Sequence, residues 1–383
     1  MSATVPVVYR DGTHRSISPD ETWRRITPLL PAMGITRVAD VTGLDRLGIS
    51  TWCAIRPAAR LIQIANGKGL SPICARVSAA MEAVEDWHAE FPQVPLRKAS
   101  AAELMRAGQA IVRASELDLF RSDLHLTDLR VIEWVLAEEL LGGASVWLPA
   151  CAIFLVEPML VNWDSNGLAS GNHTVEATLH ALYEVIERDS MARLTAGGVT
   201  LPSGASRVVD LKTLPPGPLA ELRDLLQTAE VTVVLTRVES VAPVSTFWAV
   251  LVDTLTPFAC STVNTGHGSH LSPTVAALRA ITEAAQSRLT LIHGSREDLR
   301  SNAYEFDDSH QRVSVFFQGR RGDLAWNEVV DHSTGDLGQD LDAVLNGLRN
   351  AGYSRVYRTD LTSPQIEIPV VKVLVPGLRK YEC

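Results

Sequence analysis

The segment Ser165–Asp189, SNGLASGNHTVEATLHALYEVIERD, decides how the chain is interpreted. A glycine-containing turn opens it, and the spacing of its apolar residues predicts one long helix over residues 173–194. The polar residues of this helix lie within about 80° of one another on a wheel of about 100° per residue: Glu176, His180, Glu184 and Glu187. Leucine, valine and isoleucine fill the other side, so the helix carries one apolar stripe and one acidic stripe.

Two other segments repeat this plan. Asn66–Gly69 precedes Glu82 and Glu85, and Gly266–Gly268 precedes Glu283 and Gln286. The separation from turn to second polar residue is 19, 21 and 20 residues for Asn66 to Glu85, Asn166 to Glu187 and Gly266 to Gln286. Because residues three apart share a helix face, we expect three similar turn–helix units packed around one site.

The acidic faces lack compensating cations. Residues 173–187 contain three carboxylates and residues 78–90 contain four, and neither stretch contains lysine or arginine. Solvated faces usually mix charges of both signs, whereas clustered carboxylates favour a hard divalent cation such as Mg²⁺ held together with phosphates. Two other interpretations stay open: solvated helix faces, and a di-iron site in which Glu85-x-x-His88 supplies ligands. No phosphate-binding P-loop motif is present, and no cysteine has an evident histidine partner.

Composition and charge limit the function classes. The 383 residues are 46% hydrophobic and 21% charged, which is ordinary for a folded globular protein. The net charge of −9 argues against general nucleic-acid binding. The apolar stretch 147–161 is too short to span a bilayer, no secretion signal is evident, and the five scattered cysteines are typical of reduced thiols. We therefore expect a cytoplasmic protein without a membrane span.

The hydrophobic patterns predict a mixed fold of the α/β (α+β) class. Helices are predicted over residues 18–30, 78–90, 104–112, 126–139, 173–194, 219–227, 273–291 and 337–351. Strands are predicted over residues 37–41, 51–55, 61–66, 152–156, 232–238, 247–253, 313–317, 355–357 and 370–375.

The motifs also resemble a known family, the YcaO proteins, over most of the chain from Pro19 onward. The residues that carry the resemblance are Ser78-x-x-x-Glu82-x-x-Glu85, Ser165 through Glu176-Ala177 into Glu184-x-x-Glu187-Arg188-Asp189, and Glu283-x-x-Gln286. Gly67-Lys68-Gly69 and the stretch from Ile368 through Pro376-Gly377-Leu378 fit the same family.

The resemblance implies an enzyme that uses ATP and Mg²⁺ to phosphorylate the oxygen of a peptide amide after a nucleophile has added to the carbonyl. It implies mixed sheets with helices around an ATP and magnesium cleft. Residues 1–60 would form an N-terminal segment packed on the catalytic unit 61–383. It also implies a homodimer that acts on a ribosomally made precursor peptide or on a protein.

The resemblance assigns roles residue by residue. The Mg²⁺ ligands would be Glu82, Glu85, Glu184, Glu187 and Glu283. The nucleotide contacts would be Ser78, Asn172, Glu176, Arg188 and Gln286, with Arg15 and Thr22 as N-terminal contacts. Glu187 and Arg188 would act in catalysis, which fits phosphoryl transfer because that reaction depends mainly on positioning and charge neutralisation.

Two positions depart from the family pattern. Asp86 follows Glu85 where the first motif usually has arginine, so that a cation is missing or is supplied elsewhere. The chain ends Pro376–Cys383 without the Pro-x-Pro-x-Pro of many azoline-forming members. This ending is similar to that of members that work with a TfuA protein as a sulfur-delivery partner and install thioamides. Azoline formation, a non-catalytic nucleotide-binding docking subunit and a metal-dependent hydrolase or oxidase stay open as alternatives.

Overall fold

The computed structural model of the protein describes residues 4–117, 127–195, 206–256, 260–299, 304 and 308–380. Leu126 and the last three residues of the predicted ending, Tyr381–Cys383, lie outside them. Within these ranges the helices are α1 Pro19–Ile26, α2 Pro72–Glu90, α3 Ala101–Arg106, α4 Thr174–Thr195, α5 Pro218–Thr228, α6 Pro273–His293, α7 Asp308–Gln318 and α8 Leu337–Asn350. The mixture of helices and sheets confirms the predicted α+β class.

The strands form three antiparallel sheets in the described part of the chain. They are β1 Arg37–Asp40, β2 Thr51–Ile55, β3 Ile64–Lys68, β4 Arg97–Ser100, β5 Val131–Glu139, β6 Ala144–Pro149, β7 Leu168–Ser170, β8 Ser206–Val208, β9 Val231–Val238, β10 Ser245–Asp253, β11 Val263–His270, β12 Tyr357–Asp360 and β13 Val370–Leu374. The orders are β1-β2-β3, then β11-β10-β9-β8, then β4-β5-β12-β13-β7, with β6 beside β5.

Each of the three predicted turn–helix units is a strand followed by a helix: β3 with α2, β7 with α4, and β11 with α6. Two of the expected glycine turns are wrong, because Gly67 and Gly266 lie inside β3 and β11. A Cβ added at Gly67 would lie 2.0 Å from the Ala79 nitrogen, and one at Gly266 would lie 2.2 Å from the Ala284 nitrogen. Glycine is needed at these positions because the helix backbone touches the strand directly.

Several predicted elements are corrected by tertiary pairing. Residues 131–139, predicted as part of a helix, form β5, whose β-branched and aromatic residues pair with β4, β6 and β12. Residues 313–317, predicted as a strand, belong to α7, and the predicted strand at 152–156 is absent among the described residues. The helix predicted over 104–112 ends at Arg106, just before Gly108 in the left-handed conformation at φ 69°.

The N-terminal residues pack on the remainder of the chain. Strand β3 pairs with β2, and α1 contacts α2, so that secondary structure is continuous across residue 60. The division into residues 1–60 and 61–383 stays a prediction. The cysteines that the structure describes as free are Cys53, Cys74 and Cys151, as expected for reduced thiols.

Candidate functional site

Acidic side chains from three helices lie close together in one partly exposed region, which we call the cleft. Helix α2 contributes Glu82 and Glu85, α4 contributes Glu184 and Glu187, and α6 contributes Glu283. The side chains of Glu184 and Glu283 lie deep in the molecule but keep 25% of their surface exposed, so solvent still reaches them. The structure thus places the five predicted metal ligands near one another, since each carboxylate either shifts the pKa of another of the set or has its own pKa shifted by one.

The position of Glu85 is fixed by the end of β7. Its Oε1 accepts hydrogen bonds from the backbone nitrogen of Ser170 at 2.7 Å and from the Ser170 hydroxyl at 2.6 Å. Burial nevertheless raises the pKa of Glu85 to about 8, because the two donors only partly offset desolvation and the neighbouring Glu82 and Glu184 add to it.

Three of the other carboxylates also have raised pKa values, although cations lie near them. Burial raises the pKa of Glu184 to about 7, and Glu187 adds to the shift. The pKa values of Glu82 and Glu187 are raised by burial and by the charge of Glu283. Carboxylates held near one another at neutral pH in this way provide the oxygen ligands that a divalent cation needs, so the residues fit Mg²⁺.

Glu283 has a different environment. Burial would raise its pKa, but Lys68 and His267 together hold the pKa well below its usual range. The ammonium of Lys68 lies 2.8 Å from Oε2 of Glu283, and the backbone nitrogen of His267 donates to Oε1 at 3.3 Å. Among the described residues, one group of three metal-ligating side chains has its ligand atoms within 4.8 Å of one another: Glu187, His267 and Glu283.

Besides Lys68, three further cations lie around the acidic cluster. Arg188 approaches Glu184 at 4.0 Å. Arg279 donates instead to Nε2 of His180 at 2.7 Å, and burial and the nearby Arg279 charge keep the pKa of His180 well below its usual range. A neutral imidazole thus orients this guanidinium. On the other flank the ammonium of Lys372 is buried, donates to the Asp164 carbonyl, and has its pKa lowered by burial to about 8.

A second polar group lies at the start of α4. Glu176 accepts from the Ser16 nitrogen at 2.8 Å, from the Ser16 hydroxyl at 2.7 Å and from the Asn172 side chain at 2.9 Å. Thr22 donates to Asn172 at 2.9 Å, and Arg15 approaches Glu176 at 3.5 Å. The structure thus brings together four of the residues predicted to contact nucleotide, although 150 residues of sequence separate Thr22 from Asn172 and 161 separate Arg15 from Glu176.

The remaining predicted residues lie on the same helices. Ser78 is half-buried one turn before Glu82 on α2, and Gln286 follows Glu283 on α6 with its buried Oε1 lacking a hydrogen-bond partner among the described residues. Nδ1 of His88 bonds the Val84 carbonyl in the core at 2.8 Å. Among the described residues His88 is not part of the one group of metal-ligating side chains, so the structure gives the di-iron interpretation of Glu85-x-x-His88 no support.

Sequence reasoning missed several residues of this cleft. Arg279 had a usable signal, since it lies four residues before Glu283 and therefore on the same face of α6. From the sequence His267 could be a ligand, but a histidine in a loop more often bonds within a turn, and Lys372 lies within a plain apolar strand pattern. Neither has a local signal, because each reaches the cleft only through the arrangement of the sheets.

Comparison with known proteins decides the family. The family model described as YcaO cyclodehydratase, ATP- and Mg²⁺-binding, matches residues 66–379. The chain belongs to the YcaO family. An uncharacterized protein of Mycobacterium tuberculosis is 37% identical over 97% of this chain and 84% of its own length. A protein encoded in the tfuA 3′ region of Rhizobium leguminosarum bv. trifolii is 32% identical over 95% of this chain and 88% of its own length.

The fold agrees with solved YcaO structures. The YcaO from Methanopyrus kandleri, bound with AMPPCP and Mg²⁺, has a TM-score of 0.79 at 25% identity over 98% of this chain and 94% of that one. A heterocyclase in complex with substrate and cofactor has a TM-score of 0.79 at 22% identity, over 99% of this chain and 54% of that one, and supports the fold alone. ATP and Mg²⁺ are the ligands of this family, in agreement with the prediction from the sequence. No helix within the described ranges has the length and hydropathy needed to cross a bilayer.

Proposed function

We propose that this YcaO protein uses ATP and Mg²⁺ to activate a peptide backbone amide by O-phosphorylation, and that the product is a thioamide. The observation that carries the proposal is the meeting of five carboxylates from α2, α4 and α6 in one solvent-reached cleft with Arg188 and Arg279 beside them. Phosphoryl transfer requires this combination of metal ligands and cations, and it requires little covalent chemistry from the protein.

One group of residues would bind the metal and the phosphates, and a second group would bind the nucleoside. Glu82, Glu85, Glu184, Glu187 and Glu283 would hold Mg²⁺, which when bound neutralises phosphate charge. Arg279, held by His180 at 2.7 Å, presents its remaining N–H donors to phosphate oxygens, as does Arg188. The group of Arg15, Thr22, Asn172 and Glu176 would bind the nucleoside end, with Ser78 and Gln286 as further nucleotide contacts.

The reaction turns a poor leaving group into a good one. A sulfur nucleophile adds to the amide carbonyl carbon, and the oxygen that gains the negative charge takes the γ-phosphoryl group of ATP, which releases ADP. The C–O bond then breaks, phosphate leaves with the former amide oxygen, and the sulfur remains double-bonded to carbon after the loss of its proton. In azoline formation a cysteine, serine or threonine of the substrate would supply the nucleophile.

One observation favours the sulfur chemistry: the Rhizobium relative is encoded in the tfuA 3′ region. We infer a separate TfuA-type sulfur-delivery partner, a precursor peptide or protein as substrate, a homodimeric state and a cytoplasmic location.

The experiment is peptide-dependent ATP turnover followed by mass spectrometry. Purified protein is mixed with Mg²⁺–ATP, a sulfide source, a TfuA protein and a candidate precursor peptide, the last two chosen from genes found next to its own. Exchange of one oxygen for one sulfur supports thioamide formation, whereas loss of one water would assign an azoline product instead. Nucleotide binding without any peptide-dependent turnover would make the chain a docking subunit and overturn the enzymatic proposal.

A further inference from the structure

We propose that the imidazole of His267 is a metal ligand, which gives one metal position in the cleft a mixed nitrogen and oxygen set of Glu187, His267 and Glu283. Such a position binds Mn²⁺ or another first-row divalent ion more tightly than Mg²⁺. The inference rests on the proposed function, since it specifies one metal position of that cleft.

The geometry is close to that of a bound ion. The three ligand atoms lie within 4.8 Å of one another, and Nδ1 of His267 is 3.6 Å from Oε1 of Glu283. Metal–ligand bonds of about 2.1 Å separate ligand atoms by about 3.0 to 4.2 Å, so shifts of a few tenths of an ångström complete the site. His267 is 5% exposed and Glu187 is 6% exposed, whereas the side chain of Glu283 keeps 25% of its surface exposed, so protein surrounds two of the ligands and solvent reaches the third.

Three rigid elements supply the ligands. Glu187 is on α4, Glu283 is on α6, and His267 is on β11, the last strand of its sheet. Because β11 is an edge strand, the backbone N–H of His267 is directed away from β10, and it donates to Glu283. Gly266 and Gly268 permit this approach, since a Cβ on either would lie 2.2 Å or less from the α6 backbone.

Lys68 sets which oxygen of Glu283 is available. Its ammonium binds Oε2 at 2.8 Å, which turns Oε1 toward His267. Oε1 has two lone pairs, so it can accept from the His267 backbone N–H and still coordinate a cation.

The donor set determines which ion is preferred. Mg²⁺ prefers oxygen ligands and retains water, whereas imidazole is a good ligand for the softer first-row divalent ions. The oxygen-only carboxylates Glu82, Glu85 and Glu184 fit Mg²⁺. The position at His267 differs from them by one nitrogen, and this nitrogen is the feature that a spectroscopic experiment detects.

The test uses Mn²⁺ as the probe on the full chain. Electron spin echo modulation of bound Mn²⁺, first without nucleotide and then with AMPPCP, should show nitrogen coupling. Growth on ¹⁵N-histidine should change that signal, which identifies the nitrogen as histidine without any mutation. In His267→Gln the coupling should vanish and Mn²⁺ affinity should fall by about 10-fold or more, with a smaller loss for Mg²⁺.

His332→Gln is the matched control, because His332 is exposed and lies outside the cleft. It should retain both the coupling and the affinity. Bound Mn²⁺ without histidine nitrogen coupling in the wild-type protein would overturn the inference, and so would coupling that persists in His267→Gln. Either result leaves the proposed function standing if Mg²⁺–ATP is still bound, whereas loss of nucleotide binding in the wild-type protein refutes the proposed function itself.

Discussion

The hydroxyl of Ser170 offers a direct test of how the acidic cleft is held ready for metal. Ser170 ends β7, and both its backbone nitrogen and its hydroxyl donate to the same oxygen of Glu85, at 2.7 and 2.6 Å. Replacing Ser170 with alanine removes the hydroxyl donor and leaves the backbone donor in place. The substitution therefore makes the ionised form of Glu85 less stable and raises its pKa, and it leaves every predicted metal ligand in place.

The size of the effect follows from the hydrogen bond and the pKa. A hydrogen bond to a charged group contributes about 1.5–3 kcal/mol, which equals about one to two pKa units. The pKa of Glu85 is about 8 with both donors present, so about a quarter of it is ionised at a pH of about 7.5. If the pKa rises by about one unit, about one thirtieth is ionised, and binding that needs the carboxylate weakens about eight-fold.

The assay is Mg²⁺ titration of nucleotide binding by Ser170→Ala at several pH values. The apparent dissociation constant for Mg²⁺ should rise about eight-fold or more near pH 7.5. Its difference from the wild-type value should become smaller as the pH increases, because Mg²⁺ binding releases a proton. Ser190→Ala is the matched control, since that buried hydroxyl donates to the Ile186 carbonyl on α4 at 2.8 Å. An unchanged constant in Ser170→Ala would refute the role of Glu85 as a metal ligand.

Three further outcomes follow from the structure. Glu187→Gln should abolish Mg²⁺-dependent ATP turnover with circular dichroism near wild type, and full turnover would remove Glu187 from the metal set. Because burial raises the pKa values of Glu85 and Glu184 from 4.5 to about 8 and 7, the metal-free folded state binds more protons than the unfolded state in that window. The midpoint temperature of thermal unfolding without metal should therefore decrease as the pH is raised from about 6 to about 8, and Mg²⁺ should make this decrease smaller. A midpoint of the metal-free protein that rises over this pH range would contradict the argument. Gly266→Ala places a Cβ 2.2 Å from an α6 backbone nitrogen, so its free energy of unfolding in urea should fall by about 3 kcal/mol or more. In the control Gly43→Ala the new Cβ meets open space, and the free energy of unfolding should change by less than about 0.5 kcal/mol. Equal losses in the two variants would refute the close-packing argument.

Local spacing was sufficient for the residues that act from one helix face. Glu184 and Glu187 lie three apart on α4, and Glu82 and Glu85 lie three apart on α2, so each pair shares a face whatever the surrounding fold is. Helix α4 itself was predictable, since its observed bounds of 174–195 differ by one residue at each end from the predicted 173–194. The prediction that these helix faces lie around one site rested on the absence of lysine and arginine from them, and no single motif indicated it.

Residues whose position depends on sheet pairing were not predictable. The stretch Val313–Phe317 has strand propensity, but it lies in α7, where Phe317 packs edge-on against Trp248 of β10 at 5.4 Å. His267 and Lys372 reach the cleft from β11 and β13, which are in different sheets. A local pattern does not specify which strand edge faces the cleft, because that depends on strand order across the whole chain.

The pairing of buried charges separates the cleft from the remainder of the molecule. Outside it, buried charges bind each other directly: Arg56 meets Glu90 at 2.6 Å, and Arg288 meets Asp45 at 2.8 Å. Inside it, Lys68 binds Glu283 at 2.8 Å, but Arg279 bonds a neutral imidazole and Lys372 a backbone carbonyl, although carboxylates lie near both. Keeping Arg279 and Lys372 from direct carboxylate partners costs folding free energy, since no ion pair offsets their desolvation. Ligands that carry both signs, a divalent cation for the carboxylates and phosphates for the guanidiniums, would satisfy both sets at once, and their binding free energy would offset that cost.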